Sequence, residues 1–432
     1  MCSSDLEVHR SIAVPKNAVW WRRLFTFLGP GYLVSVGYMD PGNWATDIAG
    51  GSKFGYTLLT VILISNLMAI LLQSLCVRLG VATGRDLAQA CRDYYSKPVS
   101  VTLWLLCEVA IVACDLAELL GSALALNLLF GIPMAIGVCI TTLDVLLLLL
   151  LQNKGFRYTE AIVVTLVATI AVCFGLQVFM STPDWARVAV GLVPTTQVLV
   201  DPAMLYIAMG ILGATVMPHN LYLHSSIVQT RAWQASEREK REAITYGTID
   251  SSLALSMAFF VNAAILIVSA AVFHRAGHYE VADIREAYLL LSPLLGVAFA
   301  STLFALALLA SGQASTLTAT LAGQIVMEGF INIRLPAWLR RLVTRLLALI
   351  PALITIIWFG ENSTGWLLVL SQVVLSLQLS FAVIPLVIFT SDPKRMGPFV
   401  NPRWLSVTSW AVAIIIAALN GWLLLQTFVQ GV

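Results

Sequence analysis

Two short polar stretches interrupt apolar parts of the sequence. Residues 39–43 read Met-Asp-Pro-Gly-Asn, and residues 213–220 read Gly-Ala-Thr-Val-Met-Pro-His-Asn. Each stretch contains a proline and a glycine, so a helix that reaches it is expected to stop there. The carbonyl groups before each stop lose their helical partners, and a helix C-terminus carries partial negative charge. Both stretches therefore favour the binding of a cation.

The side chains of the two stretches indicate which kind of cation. Asp40 supplies a carboxylate, Asn43 an amide oxygen and Met217 a thioether, and neither stretch contains a lysine or arginine that would neutralise Asp40. Oxygen ligands suit hard ions such as Mg²⁺ and Ca²⁺, whereas sulfur is accepted by softer transition metals. The mixed set predicts a preference for Mn²⁺, Fe²⁺, Co²⁺ or Cd²⁺.

The composition places these residues in an integral membrane protein. The chain has 432 residues, of which 59% are hydrophobic and 11% charged, whereas a soluble domain carries roughly 25% charged residues. The net charge of +2 gives no reason to expect a nucleic-acid partner. The seven cysteines include no C-x-x-C pair, so neither a disulfide framework nor a zinc site is predicted. An enzyme is not predicted either, because the chain has neither a phosphate-binding glycine loop nor an H-E-x-x-H pair.

Eleven segments are apolar enough to cross a bilayer, which takes about 20 residues. Of the 25 lysines and arginines, one set of alternate connections holds only Lys53, Arg187, Arg275 and Arg285. The positive-inside rule then places the N-terminus in the cytosol and the C-terminus outside the cytoplasmic membrane. No cleavable leader is expected. The predicted segments are 24–51, 55–77, 99–127, 132–151, 159–179, 203–230, 247–273, 292–314, 342–359, 365–390 and 404–428.

The two interrupted segments are the first and the sixth, which enter the membrane from opposite sides. This predicts a cytosolic segment (1–23), two five-helix repeats of inverted topology (24–179 and 203–390) and one additional helix (404–428). A single proline often only kinks a membrane helix. Interruptions in corresponding places of two repeats instead indicate the central binding site of a transporter.

A group of carboxyl side chains lies on the third segment. Glu108, Asp115 and Glu118 are spaced by seven and three residues, which places them on one helical face. Ionisable residues inside the membrane typically mark a transport pathway, so this face predicts a proton relay. His219, two residues after Met217, is a further candidate, although a histidine there could also cap the broken backbone.

Three stretches carry a resemblance to a known family. MDPGNWATD and GATVMPHNLYLHSS resemble the paired signatures of the Nramp family of divalent-metal transporters, and SGQASTLTATLAGQIVMEGF, from Ser311 to Phe330, resembles that family's transport motif. The sequence is most similar to the bacterial proton-coupled manganese branch. The resemblance implies an all-α LeuT-like fold of eleven helices and proton-coupled metal import by alternating access. It implies no resident cofactor and no obligate protein partner, only metal, protons and membrane lipid.

The resemblance also implies roles for individual residues. In segment ten, Gln372 matches the glutamine that joins the metal during occlusion, and Gln378 is the alternative. The implied metal ligands are the side chains of Asp40, Asn43, Met217 and Gln372 and the backbone carbonyls of Gly37 and Ala214. The resemblance makes His219 a proton-pathway residue and matches Arg231 and either Arg340 or Arg341 to the exit path. Together with the acidic face of segment three, the predicted proton and exit pathway comprises His219, Asp115, Glu118, Glu108, Arg231, Arg340 and Arg341. Anchoring by the positive-inside rule would explain the three arginines equally well.

Two other functions are compatible with such a fold. A sodium-coupled transporter of organic solutes holds the substrate carboxylate at half-helix N-termini, where Asp40 would repel it. A passive metal channel would leave the acidic residues of segment three without a function.

Overall fold

The computed structural model describes residues 10–14, 19–152, 156–233, 236–281, 283–332, 337–359 and 364–430. These ranges are largely helical, as the all-α prediction requires. That prediction omits one small feature, a parallel pair of two-residue strands, β1 (Ile12–Ala13) and β2 (Arg231–Ala232). The pair ties the N-terminal segment to the chain that follows the sixth predicted segment.

The helices follow the predicted segments closely in order and position. The first half contains α1 (Trp20–Phe27), α2 (Pro30–Val36), α3 (Pro41–Phe54), α4 (Leu59–Thr83), α5 (Leu87–Tyr94), α6 (Lys97–Phe130), α7 (Met134–Gln152), α8 (Phe156–Ser181), α9 (Trp185–Gly191) and α10 (Gln197–Val200). The second half contains α11 (Pro202–Thr215), α12 (Pro218–Ile227), α13 (Glu237–Ser269), α14 (Ile284–Leu295), α15 (Ala300–Ile331), α16 (Ala337–Phe359), α17 (Thr364–Ser391), α18 (Pro393–Met396) and α19 (Arg403–Gln430).

Within the described ranges, eight helical spans are long and apolar enough to cross a membrane. Two shorter apolar helices, Met134–Leu143 and Leu342–Trp358, correspond to predicted segments four and nine. The first predicted segment is divided between α2 and α3. Every predicted segment thus coincides with helical structure, and the count of eleven crossings stays a prediction.

Both interruptions break their helices in the same way. A 3₁₀ turn, Gly37–Met39, follows α2, Asp40 is extended (φ −69°, ψ 167°), and Pro41 begins α3. In the second break α11 ends at Thr215, Met217 is extended (φ −71°, ψ 124°) and Pro218 begins α12. Proline suits the first position of a helix because its fixed φ is helical and an N–H there would have no helical partner.

The boundaries of segment eight were predicted wrongly. The segment was placed at 292–314, whereas α14 ends at Gly296 in the left-handed conformation (φ 69°) and the long helix α15 runs from Ala300 to Ile331. Polar residues such as Ser315 and Thr318 lower the local hydropathy in the second half of α15. They are nevertheless buried, because the helix packs inside the bundle at that point.

Polar and apolar residues are distributed as expected for a protein in lipid. Large apolar side chains are exposed on the outer helix surfaces, for example Phe179, Phe260 and Ile357. Buried polar side chains cluster where α3, α11, α13 and α17 meet around the two breaks. The interior that positions the candidate site is therefore the polar part of the molecule.

Candidate metal site

The buried side-chain atoms without a hydrogen-bond partner include three oxygens at the first helix break and on α17. Asp40, Asn43 and Gln372 are each at most 1% exposed. Among the described residues nothing donates a hydrogen bond to Asp40 Oδ2, Asn43 Oδ1 or Gln372 Oε1. Buried oxygens are normally paired, and each unpaired one costs about 1–3 kcal/mol. The three oxygens therefore form a set of electron-pair donors that a cation can satisfy.

Gln372 is held between the two helix breaks. A Cβ atom at Gly42 would lie 1.7 Å from Gln372 Nε2, and one at Gly213 would lie 2.1 Å from the Gln372 carbonyl oxygen. Only glycine permits these close approaches, so α17 packs directly on both breaks. Because Gln372 Nε2 donates to Ser371 Oγ at 3.1 Å, the amide oxygen is the group left to act as a ligand.

Gln378 belongs to a different part of α17. It lies six residues further along the helix, about 9 Å along the axis and on another face. The close contacts with Gly42 and Gly213 involve Gln372 and its neighbours. The packing thus associates Gln372, rather than Gln378, with the two breaks.

At two backbone carbonyls, the two prolines remove the donor of the usual α-helical hydrogen bond. Gly37 lies four residues before Pro41, and Ala214 lies four residues before Pro218. A proline has no N–H, so it cannot donate the usual hydrogen bond to the carbonyl four residues earlier. The neighbouring carbonyls in the first break are bound by side chains: Tyr38 O by Asn262 Nδ2 at 2.8 Å, and Met39 O by Ser311 Oγ at 2.5 Å.

Met217 completes the surroundings of the site. Its side chain is fully buried and forms a small cluster with Ala110 and Cys114 of α6, Ala319 of α15 and Leu375 of α17. A thioether at this break adds a soft, polarisable ligand to the oxygen set. No group of three His, Cys, Asp or Glu residues suitable for a metal occurs in the described ranges. A site built there from one carboxylate, two amides and one thioether differs from a zinc site.

A chain of buried ionisable groups leads away from the site. Cys114 Sγ lies 3.8 Å from His219 Nε2 and 3.7 Å from Glu118 Oε1. Glu118 Oε2 in turn forms an ion pair with Arg345 at 3.2 Å, and both side chains are at most 3% exposed. Asp40 and Asp115 interact electrostatically with Glu118. The groups connect the broken helix α11–α12 to α6 and then to α16.

Two residues in this series of buried ionisable groups were not identified from the sequence. Cys114 was interpreted only as a small hydrophobe, although it precedes Glu118 by four residues and so shares its helical face. Arg345 lies in the apolar stretch of α16, where a charged residue needs a partner. The side chains of the predicted Arg340 and Arg341 lie outside the described residues.

Glu108 and Arg231, which were also predicted on the pathway, have other partners than this series of ionisable groups. Glu108 precedes Glu118 by ten residues, about 15 Å along α6, and accepts a hydrogen bond from Trp104 Nε1 at 2.9 Å. Arg231 is fully buried and pairs with Glu160 at 2.8 Å. Arg231 also donates to the carbonyls of Thr26 (3.1 Å) and Leu28 (2.8 Å), so it fixes the chain just before α2.

Further bonds close the site on the predicted cytosolic side. Asp250 accepts hydrogen bonds from the N–H groups of Gly29 at 3.1 Å and Gly31 at 2.6 Å, which hold the start of α2. Gln73 donates to the Tyr38 hydroxyl at 2.7 Å and lies 2.9 Å from His224 Nδ1. The Gln372 side chain of α17 packs against Gly42, and the site side chains are at most 1% exposed, so the site is buried in this structure.

Two helices broken around a buried, ligand-rich centre are typical of membrane transporters. The chain matches the family model "Nramp: Natural resistance-associated macrophage protein-like" over residues 31–426. This protein belongs to the Nramp family, and it is a transporter rather than an enzyme.

Individual relatives agree with this assignment. The chain is 71% identical over 421 residues to a "Divalent metal cation transporter MntH" from Nostoc sp., covering 98% of this chain and 95% of that one. A crystal structure of the Eremococcus coleocola manganese transporter, in complex with an aromatic bis-isothiourea substituted compound, superposes with a TM-score of 0.89. It is 43% identical and covers 96% of this chain and 90% of that one. MhsT in complex with L-phenylalanine, 13% identical with a TM-score of 0.62 and covering 91% and 97%, shares the fold alone. The fold is the LeuT-like one predicted from the sequence.

Proposed function

We propose that this protein imports divalent transition metals across the cytoplasmic membrane by alternating access, coupled to inward movement of protons. Mn²⁺ is the main substrate, and Fe²⁺, Co²⁺ and Cd²⁺ suit the same ligands. The proposal rests on the three buried oxygens without partners, held beside Met217 between two broken helices. The metal-transporter names of the relatives support it.

The ligand roles follow from the chemistry of each group. Asp40 supplies the negative charge, and its second oxygen is occupied as the cap of α3 by the N–H of Asn43 at 2.9 Å. Met217 disfavours Mg²⁺ and Ca²⁺, which prefer oxygen alone. The full proposed set is Asp40, Asn43, Met217 and Gln372, with the carbonyls of Gly37 and Ala214.

The proton route begins beside the metal. A divalent cation next to Asp40 favours its ionised form and opposes protonation of nearby groups. His219, Cys114, Glu118 and Arg345 provide a contiguous set of polar groups from the site to α16. We place Asp115 on the same route because of its electrostatic interaction with Glu118.

Release of the metal towards the cytosol requires α2, the first half of the interrupted first segment, to move. The bonds from Arg231 and Asp250 to residues 26–31 hold α2 in its present position. Their breakage would free α2 to swing away and expose Asp40. In this account Arg231 acts as a cytosolic clamp beside the N-terminus, which we place in the cytosol.

Metal uptake in cells tests the site directly. Asp40→Ala removes both the charge and the helix cap, whereas Asp40→Asn keeps an oxygen that can cap α3. We expect Mn²⁺ uptake to fall at least about tenfold in both variants, since a lost charged ligand costs more than 1.4 kcal/mol. Surface expression and detergent stability of Asp40→Asn should stay near wild type. Uptake at the wild-type rate by Asp40→Asn would refute the assignment of Asp40 as the anionic ligand.

A further inference from the structure

A cavity distinct from the metal site lies at the far end of α3. Its volume is about 1040 Å³. The walls are the turn after α3 (residues 54–57), the connection between α8 and α11 (residues 182–197) and the turn after α13 (residues 270–279). The length of α3 separates the cavity from Asp40 by about 20 Å. The proposed metal mechanism does not use this cavity.

The cavity lining carries an excess of positive charge. Arg187 and Arg275 line it, and Asp184 is the acidic residue of the described lining, which leaves one positive charge in excess. Just outside the lining, Lys53 precedes Phe54 and Glu280 follows Tyr279, and these two charges balance. Both guanidinium groups, and the Asp184 carboxylate, interact electrostatically with the lining residue Tyr56. A cavity with this charge disfavours a divalent cation and favours an anion.

Arg187 has unused hydrogen-bonding capacity. Its Nε lies 3.3 Å from Asp184 Oδ2, and its side chain is 80% exposed. In the part of the chain that the structure describes, Nε is the only atom of this guanidinium group with an ion-pair contact. The two terminal nitrogens can therefore reach an oxyanion. Arginine binds phosphate especially well because its planar fork matches the spacing of two phosphate oxygens.

The rim of the cavity is apolar and exposed. Val190 (70% exposed) and Val193 (62%) line it, and Trp185 (62%) and Val200 (77%) flank it. Tryptophan and exposed aliphatic side chains beside arginine are typical of the boundary between lipid and water. The cavity thus presents positive charge next to a surface suited to acyl chains.

We propose that this cavity binds the phosphate group of an anionic phospholipid through Arg187 and Arg275. We place this phospholipid in the outer leaflet of the membrane. This placement rests on the orientation given under Proposed function, in which the N-terminus lies in the cytosol. A bound headgroup would link the end of α3 to the α8–α11 connection and to the turn after α13. It would thereby stabilise the arrangement of these three segments seen in this structure.

Thermal unfolding of the purified protein in detergent tests this proposal. The probes are dioleoyl phosphatidylglycerol, dioleoyl phosphatidylcholine and inorganic phosphate. We expect phosphatidylglycerol to raise the wild-type unfolding midpoint by a few degrees, because a ligand that binds the folded state stabilises it. Phosphatidylcholine should have a much smaller effect. In Arg187→Gln/Arg275→Gln the shift with phosphatidylglycerol should fall by at least half.

Arg285→Gln is the matched control, since Arg285 is predicted on the same side but does not line the cavity. It should keep the wild-type shift. If phosphatidylglycerol raised the unfolding midpoint of the double variant as much as that of the wild type, the proposal would be overturned. If inorganic phosphate raised the wild-type midpoint as much as phosphatidylglycerol does, the choice of a lipid would be overturned. The single variant Arg187→Gln takes the place of the double variant if the double variant fails to fold. It should fold, because the Arg187 side chain is largely exposed. The assay involves no metal transport, so its failure and that of the proposed function are distinguishable.

Discussion

At the scale of single residues, the carboxylate of Asp40 combines an observed role with a proposed one. Oδ1 caps α3 and so fixes the break, while Oδ2 has no hydrogen-bond partner among the described residues. The cap would hold the proposed ligand oxygen stationary, which reduces the entropy lost on binding. In this proposal the same residue creates the helix start and contributes the main negative charge.

Met217 determines selectivity in this account. Met217→Ala should lower Mn²⁺ and Cd²⁺ uptake and increase passage of Ca²⁺ or Mg²⁺, because the soft ligand is replaced by space for water. Competition between metals in an uptake assay measures this change. Leu375→Ala is the matched control, since Leu375 packs in the same cluster without offering sulfur. If both variants changed selectivity alike, the cause would be cavity formation rather than the lost thioether.

The two glutamines of α17 give a comparison on one helix. Gln372→Ala should reduce the apparent affinity for Mn²⁺ several-fold, because the amide oxygen beside Gly42 is lost. Gln378→Ala should have a smaller effect. The apparent affinity is measured by Mn²⁺ uptake over a concentration series. A larger effect of Gln378→Ala than of Gln372→Ala would assign Gln378 as the metal ligand on α17.

At the scale of helices, the pair Glu118–Arg345 joins α6 to α16. Arg345→Met should destabilise the protein by about 3–5 kcal/mol, because it leaves a buried carboxylate without its partner. The double variant Glu118→Gln/Arg345→Met should recover much of that loss, since both charges are removed. Unfolding of the wild type, Arg345→Met, Glu118→Gln and the double variant in detergent gives the coupling energy. Additive losses would contradict a direct interaction between the two residues.

The helix breaks were predictable because their cause is local. Pro41 and Pro218 each start a helix after an extended residue, and the neighbouring sequence contains the polar groups of the site. The contact between Gln372 and Gly42 was not derivable from residue patterns, since it depends on how distant helices pack. Arg345 was missed for a related reason. Several arginines near α16 satisfied the positive-inside rule, and nothing in the sequence identified the one that meets Glu118.

At the scale of the whole molecule, the broken helices connect the two sides of the membrane through one buried centre. Arg231 and Asp250 hold the chain at the start of α2, and α17 packs on both breaks. These contacts bury the centre in the arrangement that the structure shows. The LeuT-like fold, which the resemblance to the Nramp family implied, was predicted correctly. The inverted repeat boundaries and the direction of transport stay predictions.

The central claim is that metal entering from outside is accompanied by protons. Purified protein in liposomes that contain a pH-sensitive dye tests it, with Mn²⁺ added outside under an inside-negative membrane potential. The account predicts Mn²⁺-dependent acidification of the interior, absent with Asp40→Ala and much weaker with Mg²⁺ or Ca²⁺. Accumulation of Mn²⁺ inside the liposomes without any acidification would contradict it.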